Sequence, residues 1–123
     1  PDYQVTVVFT SADNAANERA KTEAFLRAFS RGADDFNAAL IDKTLGEDAA
    51  VEMVKIIHKY VYADRPYEKA APSIINGAMR INKNAALNVG NVKAQLEWFK
   101  SEGLVDASIT YDTLVDSSYV DAK

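Results

Sequence analysis

The stretch TEAFLRAFSRGADDFNAAL, from Thr22 to Leu40, decides how the rest of the sequence is interpreted. Its apolar residues recur every three or four positions, which is the spacing of one face of an α-helix. That face consists of Phe25, Ala28, Phe29, Gly32, Phe36 and Leu40. Because phenylalanine offers a large apolar area, we expect this face to supply much of the core. Gly32 costs about 1 kcal/mol relative to alanine inside a helix. We therefore expect another element, such as a helix over Val92–Phe99, to pack closely against it; the alternative is a defect that the helix tolerates.

The composition is typical of a folded protein. With 123 residues, 48% hydrophobic and 26% charged, the sequence predicts a single domain or fragment over residues 1–123. A net charge of -4 and scattered basic residues argue against nucleic acid or an anionic membrane as the main partner. Cysteine is absent, which excludes disulfides and thiolate metal sites. Since the sequence begins at Pro1, we expect it to be a piece of a longer protein.

The remaining patterns predict one strand and several helices. YQVTVVF, from Tyr3 to Phe9, is rich in β-branched and aromatic residues and predicts a strand. A polar break follows it, and a long helix is predicted from about Ala15 to Leu40. Further helices are predicted from Glu47 to about Val61, from Pro66 to Ala71, and from Asn88 to Lys100, with helical turns between Ile109 and Val120. Residues 73–87 are predicted to form a long irregular loop.

The sequence offers little that would support catalysis or metal binding. His58 is the only histidine, so a catalytic triad or a histidine-rich metal site is impossible within this chain. Motifs for phosphate loops, dinucleotides and esterases are missing. The carboxylates around the turn at Asp42, Glu47, Asp48 and Glu52 lack the spacing of a calcium loop, and we interpret them as a solvated turn. We predict no catalytic residue, no metal and no cofactor.

Two groups of residues are candidates for ligand binding. Thr10 and Ser11 place short hydroxyl side chains at the junction between the predicted strand and helix, where a polar or anionic ligand can be held. Simple capping of the helix is the favoured alternative for both residues. The aromatic residues Tyr60, Tyr62, Tyr67 and Trp98 could line a binding surface, but their spacing favours core or half-buried packing.

Four segments, taken in order, resemble one protein family. They are FLRAFSRGADDFNAAL (25–40), VKIIHKY (54–60), LNVGNVKAQLEWFKSEGLV (87–105) and ITYDTLVDSSYVDA (109–122). Together they resemble the C-terminal part of substrate-binding proteins of the nitrate/sulfonate/taurine type of ABC transporter, a group that also covers binders of thiamine pyrimidine precursors. The run from Val115 to Tyr119 is similar to the V-D-x-S-Y/F tail of that family.

The resemblance implies a mostly α-helical fragment with one N-terminal strand, the C-terminal part of a two-lobed α/β periplasmic-binding (type II) fold. It implies a small-molecule solute such as a sulfonate, nitrate or pyrimidine precursor, an ABC permease as partner, and no catalysis. The location would be periplasmic, or extracellular with a lipid anchor in a Gram-positive organism. Phe9, Thr10 and Ser11 would lie near the crossover between the lobes and are the ligand-cleft candidates.

Truncation has two further implications within that family. Most ligand contacts would come from the missing part, so the fragment alone is expected to bind no small ligand measurably. A strand at Tyr3–Phe9 would also lack neighbours, which favours self-association of the fragment through it. Two alternatives stay open: an extracellular sensor or interaction domain of the same fold, and a homologue of a thiamine-pyrimidine biosynthesis enzyme. The cysteine-rich motif of that enzyme has no counterpart in this chain.

Overall fold

The computed structural model describes residues 3–119. Six α-helices follow one another: α1 (Ala12–Asn17), α2 (Arg19–Phe36), α3 (Gly46–Tyr60), α4 (Tyr67–Asn76), α5 (Val89–Ser101) and α6 (Tyr111–Leu114). A π-helical turn, Asn37–Ile41, continues α2, and a 3₁₀ turn, Lys83–Ala85, precedes α5. Within residues 3–119, none of the helices has the length and apolar character needed to cross a bilayer.

The predicted strand is wrong. Helices account for 63% of residues 3–119, and these residues contain no β-strand. The fold class, the C-terminal part of a two-lobed α/β periplasmic-binding fold, is corrected with it. Residues 3–11 are extended, but a strand needs a neighbour to receive its backbone hydrogen bonds, and β-propensity alone does not supply one. The backbone N–H groups of residues 5–9 pair with nothing in the described part of the chain. Self-association through this segment stays a prediction.

Contacts between residues divide the described chain into two compact units. The first unit comprises residues 3–28 and 84–119, and the second unit comprises residues 29–83. The boundary near Ala28 lies within α2, so this helix contributes residues to both units. The expectation of a single domain over 1–123 stays a prediction.

The core of the second unit lies between α3 and α4. Val54 of α3 and Ala70 and Ile74 of α4 are buried there. Leu40, Ile57, Tyr67 and Ala71 pack around them. The predicted phenylalanine face contributes less than expected, since Phe25 is 58% exposed and Phe29 is 36% exposed. Of the predicted face, Phe25, Ala28, Phe29 and Gly32 are exposed, so this part of the prediction is wrong. The more buried side of the helix instead carries Leu26, Ser30 and Ala33. Apolar periodicity does not determine which side of a helix other elements cover.

Pro72 does not end α4, contrary to the sequence-based prediction. The helix continues to Asn76 with Pro72 inside it. A proline there removes one backbone hydrogen bond and costs about 3 kcal/mol in an isolated helix. Ala70 and Ile74, on either side of the proline, are both buried against α3, and this packing favours an unbroken helix. Burial therefore outweighs the local preference.

Asn37 fixes the chain that follows α4. Its side chain is almost fully buried and forms two hydrogen bonds with the backbone of Ile81. Asn37 Nδ2 donates to the Ile81 carbonyl at 2.7 Å, and the Ile81 amide donates to Asn37 Oδ1 at 3.0 Å. Arg80 forms an ion pair with Asp42, and the hydrogen bond from the guanidinium lowers the pKa of the Asp42 carboxyl. The predicted loop over residues 73–87 is therefore helical at its start and held in place near Ile81.

The predicted close approach at Gly32 is not formed within the second unit, to which the glycine belongs. A Cβ atom built on Gly32 would meet no atom of that unit within 4 Å apart from its own helix and chain neighbours. Packing of the Val92–Phe99 helix against it would join the two units and stays a prediction. Within its own unit, Gly32 has no packing role and is less favourable in a helix than alanine.

Candidate functional site

The first unit contains a cavity of about 990 Å³, which we call the first-unit cavity. Its lining comes from residues 7–12, from residues of α1 and α2, from Leu87 and Val92, and from residues 112–116 with Tyr119. All of these residues belong to the first unit. Ligand pockets in proteins usually measure roughly 300–1,000 Å³ and are mostly apolar, with a few polar groups. The first-unit cavity has both properties.

The three ligand-cleft candidates from the sequence all line the first-unit cavity. Phe9, Thr10 and Ser11 are consecutive and lie where the extended N-terminal chain enters α1. Phe9 is 89% exposed, so the chain itself covers little of this residue. Sequence reasoning did not find the opposite contribution from residues 112–116, because that wall forms only when distant parts of the chain fold together.

The hydroxyl oxygens of Thr10 and Ser11 both accept hydrogen bonds from Asn14, and the bond to Ser11 is the N-cap of α1. Ser11 Oγ accepts a hydrogen bond from the Asn14 amide at 3.1 Å, and Thr10 Oγ1 accepts one from Asn14 Nδ2 at 3.1 Å. The helix-capping alternative is therefore correct for Ser11. Each hydroxyl still has its own proton to donate, because a hydroxyl is both donor and acceptor. The anion site expected at this helix start has little support, since α1 has 6 residues and carries Asp13 in its first turn.

A break at Glu18 separates α1 from α2, where the sequence predicts one continuous helix. Glu18 has φ −120° and ψ 40°, outside the helical region. The Glu18 carbonyl nevertheless accepts the Thr22 amide at 2.9 Å, which starts α2. The Thr22 hydroxyl also donates to the Asn14 carbonyl at 3.4 Å. These bonds set the corner between the two helices, and residues on both sides of it line the cavity.

The C-terminal tail is docked on this corner through Tyr119. The Tyr119 hydroxyl donates to the Ala15 carbonyl at 2.5 Å, and the Arg19 guanidinium lies 4.3 Å from the centre of the Tyr119 ring. Arg19 also donates to the hydroxyl and the carbonyl of Ser118, both at 3.0 Å. One arginine therefore holds two adjacent tail residues by stacking and hydrogen bonding. The tail in turn forms a wall of the cavity.

Asp116 shapes the turn that leads to Tyr119. Its Oδ1 accepts hydrogen bonds from the Ser118 hydroxyl at 2.6 Å and from the Ser118 amide at 3.0 Å. These bonds lower the pKa of the Asp116 carboxyl, and the charge of Arg19 adds a smaller effect in the same direction. Asp116 is thus an ionised group whose charge is already compensated by its neighbours.

The same turn occurs earlier in the chain, and sequence reasoning missed the repetition. VDAS (105–108) and VDSS (115–118) share the pattern V-D-x-S. Asp106 Oδ1 accepts the Ser108 hydroxyl at 2.6 Å and the Ser108 amide at 2.8 Å, as Asp116 does with Ser118. An aspartate that binds the backbone two residues ahead forms a compact turn. The pattern is therefore a structural signal, and only its second copy lies at the cavity.

The extended chain over residues 3–11, which we call the N-terminal strap, is tied to α5 through Gln4. The Gln4 amide donates to Asn91 Oδ1 at 2.8 Å, and Gln95 Nε2 donates to the Gln4 carbonyl at 2.9 Å. The Gln4 side chain accepts the Asn88 amide at 2.9 Å. Side chains of α5 thus take the place of a neighbouring strand at this one residue. The N-terminal strap is held at Gln4 by α5 and at Ser11 by the N-cap of α1. Residues 7–11, which line the cavity, follow Gln4 and end at this cap.

Most polar side chains of the cavity lining have partners inside the first unit. Besides Tyr119, these are Thr10, Ser11, Asn14, Thr22, Thr113 and Asp116. Two charged lining residues differ. Within residues 3–119, the side chains of Lys21 and Asp112 form no ion pair or hydrogen bond, with each other or with other residues. One ammonium group and one carboxylate at the cavity are therefore available to a ligand.

The other sequence candidates have structural roles or are exposed. His58 Nε2 donates to the Arg65 carbonyl at 2.8 Å. The centres of the His58 and Tyr67 rings lie 5.6 Å apart, with the two rings nearly perpendicular. His58 therefore stabilises the turn that follows α3. Tyr60 and Trp98 are exposed, contrary to the expectation of core or half-buried packing. In the described part of the chain, no group of three or more histidine, cysteine or acidic residues is arranged to hold a metal ion.

Comparison with known proteins found no family model, no curated protein and no solved structure that matches this chain.

Proposed function

We propose that the chain is part of a solute-binding protein, which captures a small organic molecule in the first-unit cavity for uptake through an ABC permease. Its place would be the periplasm, or the outer face of the membrane with a lipid anchor. The role needs no catalytic group, because specificity comes from cavity shape and a few polar contacts. The ordered resemblance of four segments to the nitrate/sulfonate/taurine group supports the importer role.

The observation that carries the proposal is the first-unit cavity itself. It has about 990 Å³ of space, and every lining residue comes from this chain. Phe9 and Phe25 line it while remaining 89% and 58% exposed. Covering such apolar surface stabilises a complex by roughly 25 cal/mol per Å² removed from water. The sequence predicts no binding by the fragment alone, whereas a cavity built from these residues favours binding, and titration decides between the two.

The test is calorimetric titration of the chain with a panel of solutes: taurine, nitrate, an aminopyrimidine and L-phenylalanine. We expect at least one to bind. In Ala16→Trp a large ring is placed in the cavity lining, and we expect the binding to be lost. Ala24→Trp is the matched control, because Ala24 is an exposed residue of α2 that does not line the cavity. If no solute binds, or if both variants bind equally well, the proposal fails.

The importer role has a separate test in the gene. We expect the parent reading frame to lie beside genes for a membrane permease and an ATPase. A reading frame that continues into a membrane span and a kinase would favour the sensor alternative. Binding without either neighbour would leave the cavity as a binding site and remove the importer role.

A further inference from the structure

We infer that the ligand of the first-unit cavity is an amphipathic zwitterion, a molecule with an aromatic or branched apolar body that carries one anionic and one cationic group. The inference rests on the proposed function and specifies the chemistry of its ligand. It follows from which polar groups of the lining are already satisfied and which are not.

The polar groups already satisfied do not select a charged ligand. Ser11 and Thr10 bind Asn14, and Asp116 binds Ser118 beside the positive charge of Arg19. A ligand that competed for these groups would have to break bonds that hold α1 and the tail. The side chains of Thr10, Ser11 and Asp116 therefore stabilise the walls of the cavity.

Lys21 and Asp112 are the charged groups of the lining that have no partner within residues 3–119. They form no ion pair with each other, so their nitrogen and oxygen atoms lie more than 4.0 Å apart. A ligand with a single charge would pair with one of them and cover the other without a partner. Covering an unpaired charge is unfavourable, whereas a charged hydrogen bond is favourable. A zwitterion satisfies both groups.

The apolar part of the lining selects the body of the ligand. Phe9 comes from the N-terminal strap and Phe25 from α2, and both rings are largely exposed at the cavity. Val92 of α5 and Leu114 of α6 add aliphatic surface. Aromatic rings pair favourably with other rings at centroid separations of about 4.5–7 Å. An aromatic or branched body gains more from this lining than a compact anion such as nitrate.

The experiment compares three probes that share a phenylethyl body. L-phenylalanine carries both charges, 2-phenylethylamine carries only the cation, and 3-phenylpropionate carries only the anion. We expect L-phenylalanine to bind about tenfold more tightly than either of the others, as one added charged hydrogen bond would produce. Calorimetric titration at neutral pH and low salt gives the three affinities, and Ala16→Trp should abolish all of them.

Two variants test whether Lys21 binds the anionic group of the ligand and Asp112 the cationic group. Lys21→Met should weaken L-phenylalanine and 3-phenylpropionate about tenfold and should tighten 2-phenylethylamine, which no longer covers an unpaired ammonium group. Asp112→Asn should weaken L-phenylalanine and 2-phenylethylamine and should tighten 3-phenylpropionate for the corresponding reason. Lys59→Met and Asp34→Asn are matched controls, because both residues are exposed, have no side-chain partner within residues 3–119 and lie outside the cavity. The controls should bind all three probes as the unaltered chain does.

The outcomes separate this inference from the proposed function. If 2-phenylethylamine or 3-phenylpropionate binds as tightly as L-phenylalanine, or if Lys21→Met or Asp112→Asn changes nothing, the inference is overturned while the cavity remains a binding site. The inference also fails if none of the three probes binds but taurine, nitrate or the aminopyrimidine does. If no solute of either set binds, the proposed function fails as well.

Discussion

The Tyr119 hydroxyl and the Ala15 carbonyl oxygen are 2.5 Å apart, although the two residues are separated by 104 positions in the sequence. This hydrogen bond closes the first unit, since it joins its C-terminal tail to α1. Arg19 lies over the same tyrosine ring at 4.3 Å and binds Ser118, so the contact combines a neutral hydrogen bond, a stacked cation and a charged hydrogen bond.

Tyr119→Phe should weaken this contact without removing its packing. The ring remains below Arg19, but the Ala15 carbonyl loses its partner. We expect the free energy of unfolding to fall by about 1 kcal/mol, the usual net contribution of such a bond. Urea denaturation followed by circular dichroism measures it. Tyr3→Phe is the control, because Tyr3 is 60% exposed and its change should be close to zero. Equal stability of Tyr119→Phe and the unaltered chain would contradict the assigned role of the hydroxyl.

Tyr111→Phe should have the opposite effect. The Tyr111 hydroxyl is buried and has no hydrogen-bond partner among residues 3–119, while Lys93 lies 4.7 Å from the centre of its ring. A buried hydroxyl without a partner costs about 1–3 kcal/mol. Removing the oxygen should therefore raise the free energy of unfolding by about 1 kcal/mol in the same denaturation assay. A loss of stability would mean that the hydroxyl has a partner in solution.

Asn37→Ala should release the chain around Ile81. The substitution removes both hydrogen bonds and leaves the Ile81 amide and carbonyl without their partner. We expect a loss of about 2–3 kcal/mol in the free energy of unfolding. Hydrogen exchange adds a local measurement, since the Ile81 amide should exchange much faster. Asn17→Ala removes only an exposed side-chain bond to Asp13 and should change stability by less than about 0.5 kcal/mol. Unchanged exchange at Ile81 would contradict the proposed anchoring.

Gly32→Ala should stabilise the protein. The new methyl group has open space around it, and alanine is favoured over glycine inside a helix by about 0.5–1 kcal/mol. Gly103→Ala is the contrasting variant: Gly103 follows α5 with φ +68°, a conformation that alanine adopts with strain. Thermal denaturation should show a higher midpoint for the first variant and a lower one for the second. A lower midpoint for Gly32→Ala would indicate a close contact at that position.

The turn at Asp116 predicts a pH dependence of stability. Because hydrogen bonds from Ser118 lower the pKa of Asp116 in the folded protein, folding is favoured by the ionised carboxylate. This contribution is present at neutral pH, above the unfolded pKa of about 3.9, and is lost as the pH falls through the lowered folded value. Asp116→Asn should therefore reduce the difference between the urea midpoints at pH 7 and at acidic pH. Asp34→Asn is the control, and an equal reduction in both variants would contradict the prediction.

The sequence alone determined several helix termini of this protein. Asn88 was predicted to cap a helix, and its side chain accepts the Asn91 amide at 2.9 Å at the start of α5. Gly103 was predicted to follow the end of that helix, and it does so with positive φ. Glu47 and Asp48 lie in the first turn of α3, as expected from the helix dipole. These features depend on neighbours within a few residues, which the sequence displays directly.

Tertiary structure decided the rest. The segment from Tyr3 to Phe9 has the composition of a strand, yet it is an extended chain held at Gln4, because residues 3–119 place no strand beside it. Phe9, Thr10 and Ser11 were candidates from the sequence, but the wall from residues 112–116 that completes the cavity was not foreseen. Contacts such as Tyr119 to Ala15 join residues far apart in the chain, and their formation depends on the packing of all the elements between them. Periodicity and capping report only local preference, so they indicate where helices form and not which surfaces they bring together.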